Sequence, residues 1–143
     1  MHGISLSLFT FALAGSLLSA SSGAQAAQPE AAECFAGYAP TQVAPYEIDQ
    51  VAGEGSYTAL AGARVFIPAE KGLTAEWLNA QLLTRMAQHR AGTDCPLDLQ
   101  RVTLDVQSGG PGFWVTLASK NDKIAKEVLR RAERLVSAKP GAN

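Results

Sequence analysis

The clearest pattern in the chain is an alternation of apolar and polar residues in two short runs. Residues 102–107 alternate Val, Leu and Val with polar side chains, and residues 113–118 place Phe, Val and Leu at every second position. The Gly-rich stretch Ser108–Gly112 separates the two runs. A period of two buries one face of a strand, so this pattern predicts an antiparallel hairpin with one face in the core.

A second hairpin is predicted upstream. Residues 56–60 and 63–68 have strand composition and flank Ala61-Gly62, a dipeptide suited to a turn. Residues 46–49 could add a short edge strand before them. The first half of the domain therefore contributes at least one strand to the predicted sheet.

Apolar residues at helical spacing predict two helices. The first has Thr74 as its N-cap and ends near His89 or Arg90. The second follows Asn121, which is a suitable N-cap. The residues that define the two apolar stripes are Leu78, Leu82 and Met86 in the first helix and Ile124, Val128, Ala132 and Leu135 in the second.

The predicted order is strand, helix, strand, strand, helix, with a further N-terminal strand as an optional addition. This order is most of a ferredoxin-like plait that lacks its final strand. We therefore predict an α+β fold, with an antiparallel sheet of three to four strands and two helices packed on one face. By alternation, the other face carries two aromatic residues among four polar ones: Phe66, Trp114, Arg64, Thr103, Gln107 and Thr116.

The N-terminus indicates an exported protein. Ile4–Ala20 is almost unbroken in its apolar character, and Ala24-Gln25-Ala26 fits the A-x-A cleavage pattern. We predict a signal peptide at residues 1–26, although no Lys or Arg precedes the apolar run. The alternative is an uncleaved anchor, but the run is short for a span and lacks a basic flank. The mature protein is thus expected to be periplasmic or secreted, with no membrane span.

The remaining chain is long enough for one domain. We predict an extended N-terminal segment at residues 27–55, tied through Cys34, an α+β domain at 56–138 and a tail at 139–143. With 12 Lys and Arg against 13 Asp and Glu, the sequence lacks the basic excess that nucleic acids select. Nucleic acid is therefore not expected as a partner.

Two cysteines are present, Cys34 and Cys95. An even pair in a small exported chain is typical of a disulfide, and this is the pairing we predict. The alternative is a pair of free thiols for metal or redox chemistry, but the sequence contains no C-x-x-C motif to favour it.

The face with Phe66 and Trp114 is the best candidate for a binding surface, because exposed aromatics beside polar side chains are typical of binding sites. Residues 35–48, tethered through Cys34, would cover these aromatics in one alternative. In another, the face packs against a second copy in a homodimer. The leading hypothesis is a non-catalytic binding module for an unknown protein or small ligand.

Met86 and His89 lie three residues apart on the first predicted helix and suggest copper(I) handling as an alternative function. They are the only methionine and histidine after position 26, so core packing and a place near the helix C-terminus are the favoured roles. A third hypothesis is an inhibitor of an envelope or host enzyme that presents the loop at residues 109–112.

Catalytic motifs are absent from the sequence. It contains neither G-x-S-x-G nor H-E-x-x-H, and Asp94 and Asp98, on either side of Cys95, are expected to lie in solvent. We therefore predict that the protein is not an enzyme and needs no cofactor.

Several segments resemble a group of small exported bacterial proteins of no assigned function. The likeness covers about residues 63–136 and implies export and the same fold without supplying an activity. Such proteins often carry a Cys or His pair on the first helix, whereas this chain has Arg85 and Met86 there, with only His89 nearby. The segments that carry the resemblance are Ala63–Ala69, Gly72–Leu78, Cys95–Leu97, Ser108–Leu117 and Ala125–Leu135.

Overall fold

The computed structural model describes residues 29–138. This part of the chain contains four strands and three α-helices. The elements in chain order are α1 (Pro29–Cys34), β1 (Gln42–Ala52), β2 (Gly55–Pro68), α2 (Ala75–Ala87), a 3-10 turn (Pro96–Asp98), β3 (Thr103–Gly109), β4 (Gly112–Ala118) and α3 (Asp122–Ser137). The predicted α+β class is confirmed. The predicted signal peptide and the tail at 139–143 lie outside the described residues.

The strands form one antiparallel sheet in the order β1-β2-β4-β3. The predicted hairpin of β3 and β4 is confirmed, with Leu104 opposite Leu117 and Val106 opposite Val115. Its connection is only the two residues Gly110 and Pro111, because the pairing continues to Gly109 and Gly112. A φ of 62° at Gly110 fits such a tight turn.

The turn predicted at Ala61-Gly62 is wrong, because β2 runs through this point without reversing. The chain turns earlier, at Gly53-Glu54, where Gly53 has a φ of 63°. Gly62 serves a different purpose: a Cβ there would collide with the carbonyl oxygen of Leu117 on β4. A glycine required by close backbone approach therefore looked, in the sequence, like a turn residue.

One buried cluster combines residues of α2 and α3 with alternate residues of β2 and β4. The helices begin as predicted, because the side chains of Thr74 and Asn121 accept hydrogen bonds from backbone N–H groups in the first turns of α2 and α3. Within residues 29–138 no helix has the length and hydropathy needed to cross a membrane. The central members of the cluster are Ala63, Val65, Ile67, Leu78, Leu82, Phe113, Val115, Leu117, Val128, Ala132 and Leu135.

The segment before the sheet contains a helix that the sequence did not predict. α1 has six residues, too few to show a helical period, and isolated helices of that length are unstable. It is held by the predicted disulfide, which is confirmed: Cys34 and Cys95 are bonded, with their Cα atoms 5.5 Å apart. Phe35 follows directly and is fully buried in the core.

A buried ion pair lies beside the disulfide. Arg85 on α2 donates to both carboxylate oxygens of Asp98, at 2.7 and 2.9 Å. The same carboxylate accepts from the Thr93 hydroxyl and from the backbone N–H of Arg90. The prediction that Asp98 lies in solvent is wrong, since its side chain is only 2% exposed. This pair fixes the loop that carries Cys95 onto the end of α2.

The hydrogen bonds around Asp98 determine its protonation. Burial of the carboxylate acts to raise its pKa, but the bonds from Arg85, Thr93 and Arg90 outweigh burial and lower the pKa from 3.8 to about 2. The ionised form therefore favours the folded state, and neutralising it weakens the fold.

Removal of the disulfide should destabilise the domain strongly. The bond closes a loop with a sequence separation of 61 residues, which the chain-entropy model converts into about 4 kcal/mol of stability. We expect the Cys34→Ser, Cys95→Ser double variant to lose about that much free energy of unfolding in urea titration, as judged by circular dichroism. Equal stability of this variant and the oxidised wild type would contradict the prediction.

The fold should also lose stability in acid through Asp98. Its contribution is complete above about pH 4 and is lost as the pH falls towards 2, a difference of about 2 kcal/mol. Urea unfolding of the wild type and the Asp98→Asn variant at several pH values isolates this contribution, because other carboxylates affect both proteins. The gap in stability should narrow between pH 4 and pH 2, and parallel curves would refute the assignment.

Candidate functional site

The six residues predicted for the binding surface lie together on the sheet face that points away from the buried cluster, here called the open face. The strand register places them in rows across the sheet. The rows are Phe66–Trp114–Gln107, then Arg64–Thr116–Asp105, then Gly62–Ala118–Thr103.

The two aromatic residues differ in exposure. Phe66 is only 8% exposed, so the prediction of two exposed aromatics is wrong for this residue. Its ring centroid lies 5.1 Å from that of Trp114, with an interplanar angle of 59°. Tilted contacts of this kind are favourable for aromatic rings. Phe66 therefore supports Trp114, which is half-buried and remains accessible to a ligand.

Glycines at the β3–β4 hairpin make room for both rings. A Cβ at Gly109 would lie 2.5 Å from Cδ1 of Trp114, and one at Gly112 would lie 2.6 Å from Cζ of Phe66. The rings consequently lie against bare backbone. In the sequence these glycines look like loop residues. Their spacing of two from Gln107 and Trp114 is the signal that could have placed them under the aromatic rings.

Arg64 provides the positive charge of the open face. Its guanidinium carbon lies 5.0 Å from the ring centroid of Trp114, the geometry of a cation–π contact. Every ion pair within residues 29–138 involves other cations, so Arg64 forms no ion pair with a carboxylate of the described chain. The indole holds the guanidinium in place while leaving its N–H donors free for a ligand.

A shallow depression of about 430 Å³ lies beside Arg64. Its floor comprises small or short side chains, among them Thr116 and Ala118, and Tyr46 of β1 also lines it. Asp105 supplies a carboxylate that accepts a hydrogen bond from the Gln107 side chain at 2.9 Å. The depression therefore offers one cation, one anion and neutral hydroxyl groups over a few ångströms of sheet.

The segment at residues 35–48 does not form a layer over Phe66 and Trp114, which was one alternative for this segment. Phe35 is buried in the helix-side core, and residues 42–48 belong to β1, which lies beside β2 in the plane of the sheet. Tyr46 from this segment reaches the depression and adds a wall to it. The segment thus extends the open face sideways.

The residues of the copper hypothesis do not converge with other ligands. Met86 is partly buried and packs against the core cluster, whereas His89 lies beyond the end of α2, is exposed and has a φ of 38°. The cysteines are joined in the disulfide. Across residues 29–138 no group of three or more His, Cys, Asp or Glu side chains is placed to hold a metal ion.

No protein-family model, no curated protein and no solved structure matches the chain. The resemblance to small exported proteins consequently stays a prediction. The site must be interpreted from its own chemistry.

A methyl group at Gly109 should disturb the site without disturbing the core. In a Trp77→Phe background, Trp114 is the one tryptophan left in the chain. We expect Gly109→Ala to displace the indole and shift its fluorescence maximum, because the new Cβ would meet the ring at 2.5 Å. Gly55→Ala is the matched control, since its nearest atom lies 4.0 Å away. Identical spectra for the two variants would show that the indole does not depend on Gly109.

Proposed function

We propose that this protein is an exported, disulfide-tied, non-catalytic binding module that recognises its ligand on the open face. The observation that carries the proposal is the Arg64 guanidinium, held over a half-buried Trp114 and left without a carboxylate partner within residues 29–138. Arginine and tryptophan are the residues most enriched where binding energy concentrates.

The chemistry of the face suggests the class of ligand. A carboxylate or another planar anion would suit the unpaired guanidinium of Arg64, since such groups accept two parallel hydrogen bonds from a guanidinium. The exposed part of Trp114 would cover an adjacent apolar group. Asp105, Thr116 and Tyr46 would contact polar groups further along the depression. A protein surface or peptide with an acidic side chain next to an apolar one meets these requirements.

We propose a non-catalytic role because of the residues that form the open face. Its acidic group, Asp105, is engaged by Gln107, and the depression has no histidine or cysteine among its lining residues. A shallow depression on a sheet also leaves a bound group in contact with water, whereas acid–base and nucleophilic sites usually exclude it. Recognition is therefore the activity that this surface favours.

Export is supported by the disulfide together with the N-terminal sequence. Disulfides persist in oxidising compartments and are rare in the cytosol. The Cys34–Cys95 bond is consistent with maturation in the periplasm or outside the cell, where the leader at residues 1–26 would direct the chain.

We further propose that the domain is a ferredoxin-like plait completed from its N-terminal side. The connection β2-α2-β3 is followed by β4, which returns between β2 and β3. β1 lies at the outer side of β2, where the final strand of such a plait would lie. The buried side chains of α2 and α3 in one cluster support two helices on a single face.

Neutralising Arg64 should abolish partner capture while leaving the fold intact. Affinity capture from an envelope extract would compare the wild type with Arg64→Gln and with Lys126→Gln, an exposed residue of α3 that gives an equal change in charge. We expect at least a tenfold loss of bound partner for Arg64→Gln, because truncating a central arginine contact costs about 2 kcal/mol or more.

The thermal midpoints of both variants should equal that of the wild type, which separates loss of binding from loss of structure. Capture that survives Arg64→Gln, or that falls equally with Lys126→Gln, would rule out the open face as the binding surface.

A further inference from the structure

The depression beside Arg64 contains two opposite charges that do not pair with each other. Arg64 and Asp105 both line it, and the other side chains that line it are neutral. Neither residue takes part in an ion pair within residues 29–138. A single depression of the open face thus offers a ligand both a cation and an anion.

Neutral neighbours hold the two charged groups in place. The Arg64 guanidinium lies over the Trp114 ring, with its central carbon 5.0 Å from the ring centroid. The Asp105 carboxylate accepts a hydrogen bond from the side-chain amide of Gln107 at 2.9 Å, through one of its two oxygens. An ionised carboxylate has about four acceptor positions, so this bond leaves Asp105 able to bind a cation. Each charged group is therefore positioned by a neutral residue and keeps its charge unpaired.

The strand register sets the separation of the two groups. Arg64 and Asp105 both lie opposite Thr116, on the two strands that flank β4. Two strand spacings of ~4.8 Å place their Cα atoms about 10 Å apart. A ligand that contacts both groups must therefore carry its own two charges several ångströms apart, with its anion towards β2 and its cation towards β3.

Asp105 makes the depression selective against a ligand that carries only an anion. Because the guanidinium lies over Trp114 on β4, an anion bound to Arg64 lies within about 10 Å of Asp105, roughly one Debye length at 0.1 M salt. Like charges at this distance repel each other, whereas a cation on the same ligand is attracted to Asp105. The depression is therefore complementary to a ligand that carries both charges.

We infer that the open face recognises a segment of a partner protein with an acidic and a basic side chain on the same side, the acid bound by Arg64 and the base by Asp105. This inference rests on the function proposed above and adds a second contact to it. In an extended segment, side chains two residues apart point the same way and are about 7 Å apart, a spacing that flexible side chains can widen. A small zwitterion fits less well, because small-ligand sites enclose most of the ligand and this depression is shallow.

Selection from a random peptide library tests the charge pattern directly. Phage-displayed random heptapeptides would be selected on the disulfide-bonded wild type, on Asp105→Asn and on Glu133→Gln, which gives an equal change in charge at an exposed position of α3. Asparagine keeps a side-chain oxygen for Gln107, so Asp105→Asn removes only the charge. We expect binders of the wild type and of Glu133→Gln to share an acidic and a basic residue two positions apart, and binders of Asp105→Asn to keep only the acidic one.

Titration of one selected peptide gives the size of the effect. In the Trp77→Phe background, the fluorescence of Trp114 reports binding, because it is then the one tryptophan in the chain. Replacing the basic residue of the peptide with Gln should weaken binding to the wild type about two- to fivefold, as expected for an exposed ion pair. The same replacement should leave binding to Asp105→Asn unchanged.

The outcomes separate this inference from the proposed function. The inference is overturned by binders that carry an acid without a base, by a base that persists in binders of Asp105→Asn, or by displacement of the selected peptide by an equal concentration of free glycine. Each of these results leaves Arg64 as the binding residue. Binders without an acidic residue would overturn the proposed function as well.

Discussion

The fold depends on how the loop between α2 and β3 is anchored. A disulfide binds this loop to α1, and the ion pair of Arg85 and Asp98 binds it to α2 within the same few residues. Arg131 of α3 adds hydrogen bonds to the carbonyl oxygens of Thr93 and Cys95. One irregular segment is thereby fixed to three helices. A small domain with one apolar cluster gains in this way a covalent and an ionic constraint that hydrophobic burial alone would not supply.

The open face follows from a second constraint, the demand for space over the β3–β4 hairpin. The Trp114 ring can occupy its position only because Gly109 lacks a side chain. The ring in that position in turn holds the Arg64 guanidinium over its face. The charged group offered to a ligand is thus positioned by a residue that it does not touch. Preorganisation of this kind lowers the entropy that binding must overcome.

Much of the sheet and of the candidate site could be predicted from the alternation of side chains. The period of two placed Arg64, Phe66 and Trp114 on one face, and the spacing of cysteines in an exported chain indicated the disulfide. The misses have local causes. Gly62 was interpreted as a turn because close contact with a neighbouring strand leaves the same glycine in the sequence as a reversal does.

Tertiary contacts account for the remaining misses. α1 has too few residues to show a period, and Asp98 was expected in solvent because its partner, Arg85, lies on another element. Phe66 is buried although it lies on the open face, and its ring contacts Trp114 on the neighbouring strand, with the ring centroids 5.1 Å apart. Such contacts join residues that no short window of sequence brings together.

The sheet is built from two parts of the chain, and the candidate site lies where these two parts meet. The polypeptide enclosed by the disulfide, from Cys34 to Cys95, supplies β1, β2 and α2, and the polypeptide beyond it supplies β3, β4 and α3. These halves join along the ladder between β2 and β4, and the contact of Arg64 with Trp114 crosses that ladder. Neither half alone contains the open face that we propose as the binding surface. A ligand that contacts both Arg64 and Trp114 would bind to both halves at once, so its binding free energy would also stabilise the contact between them.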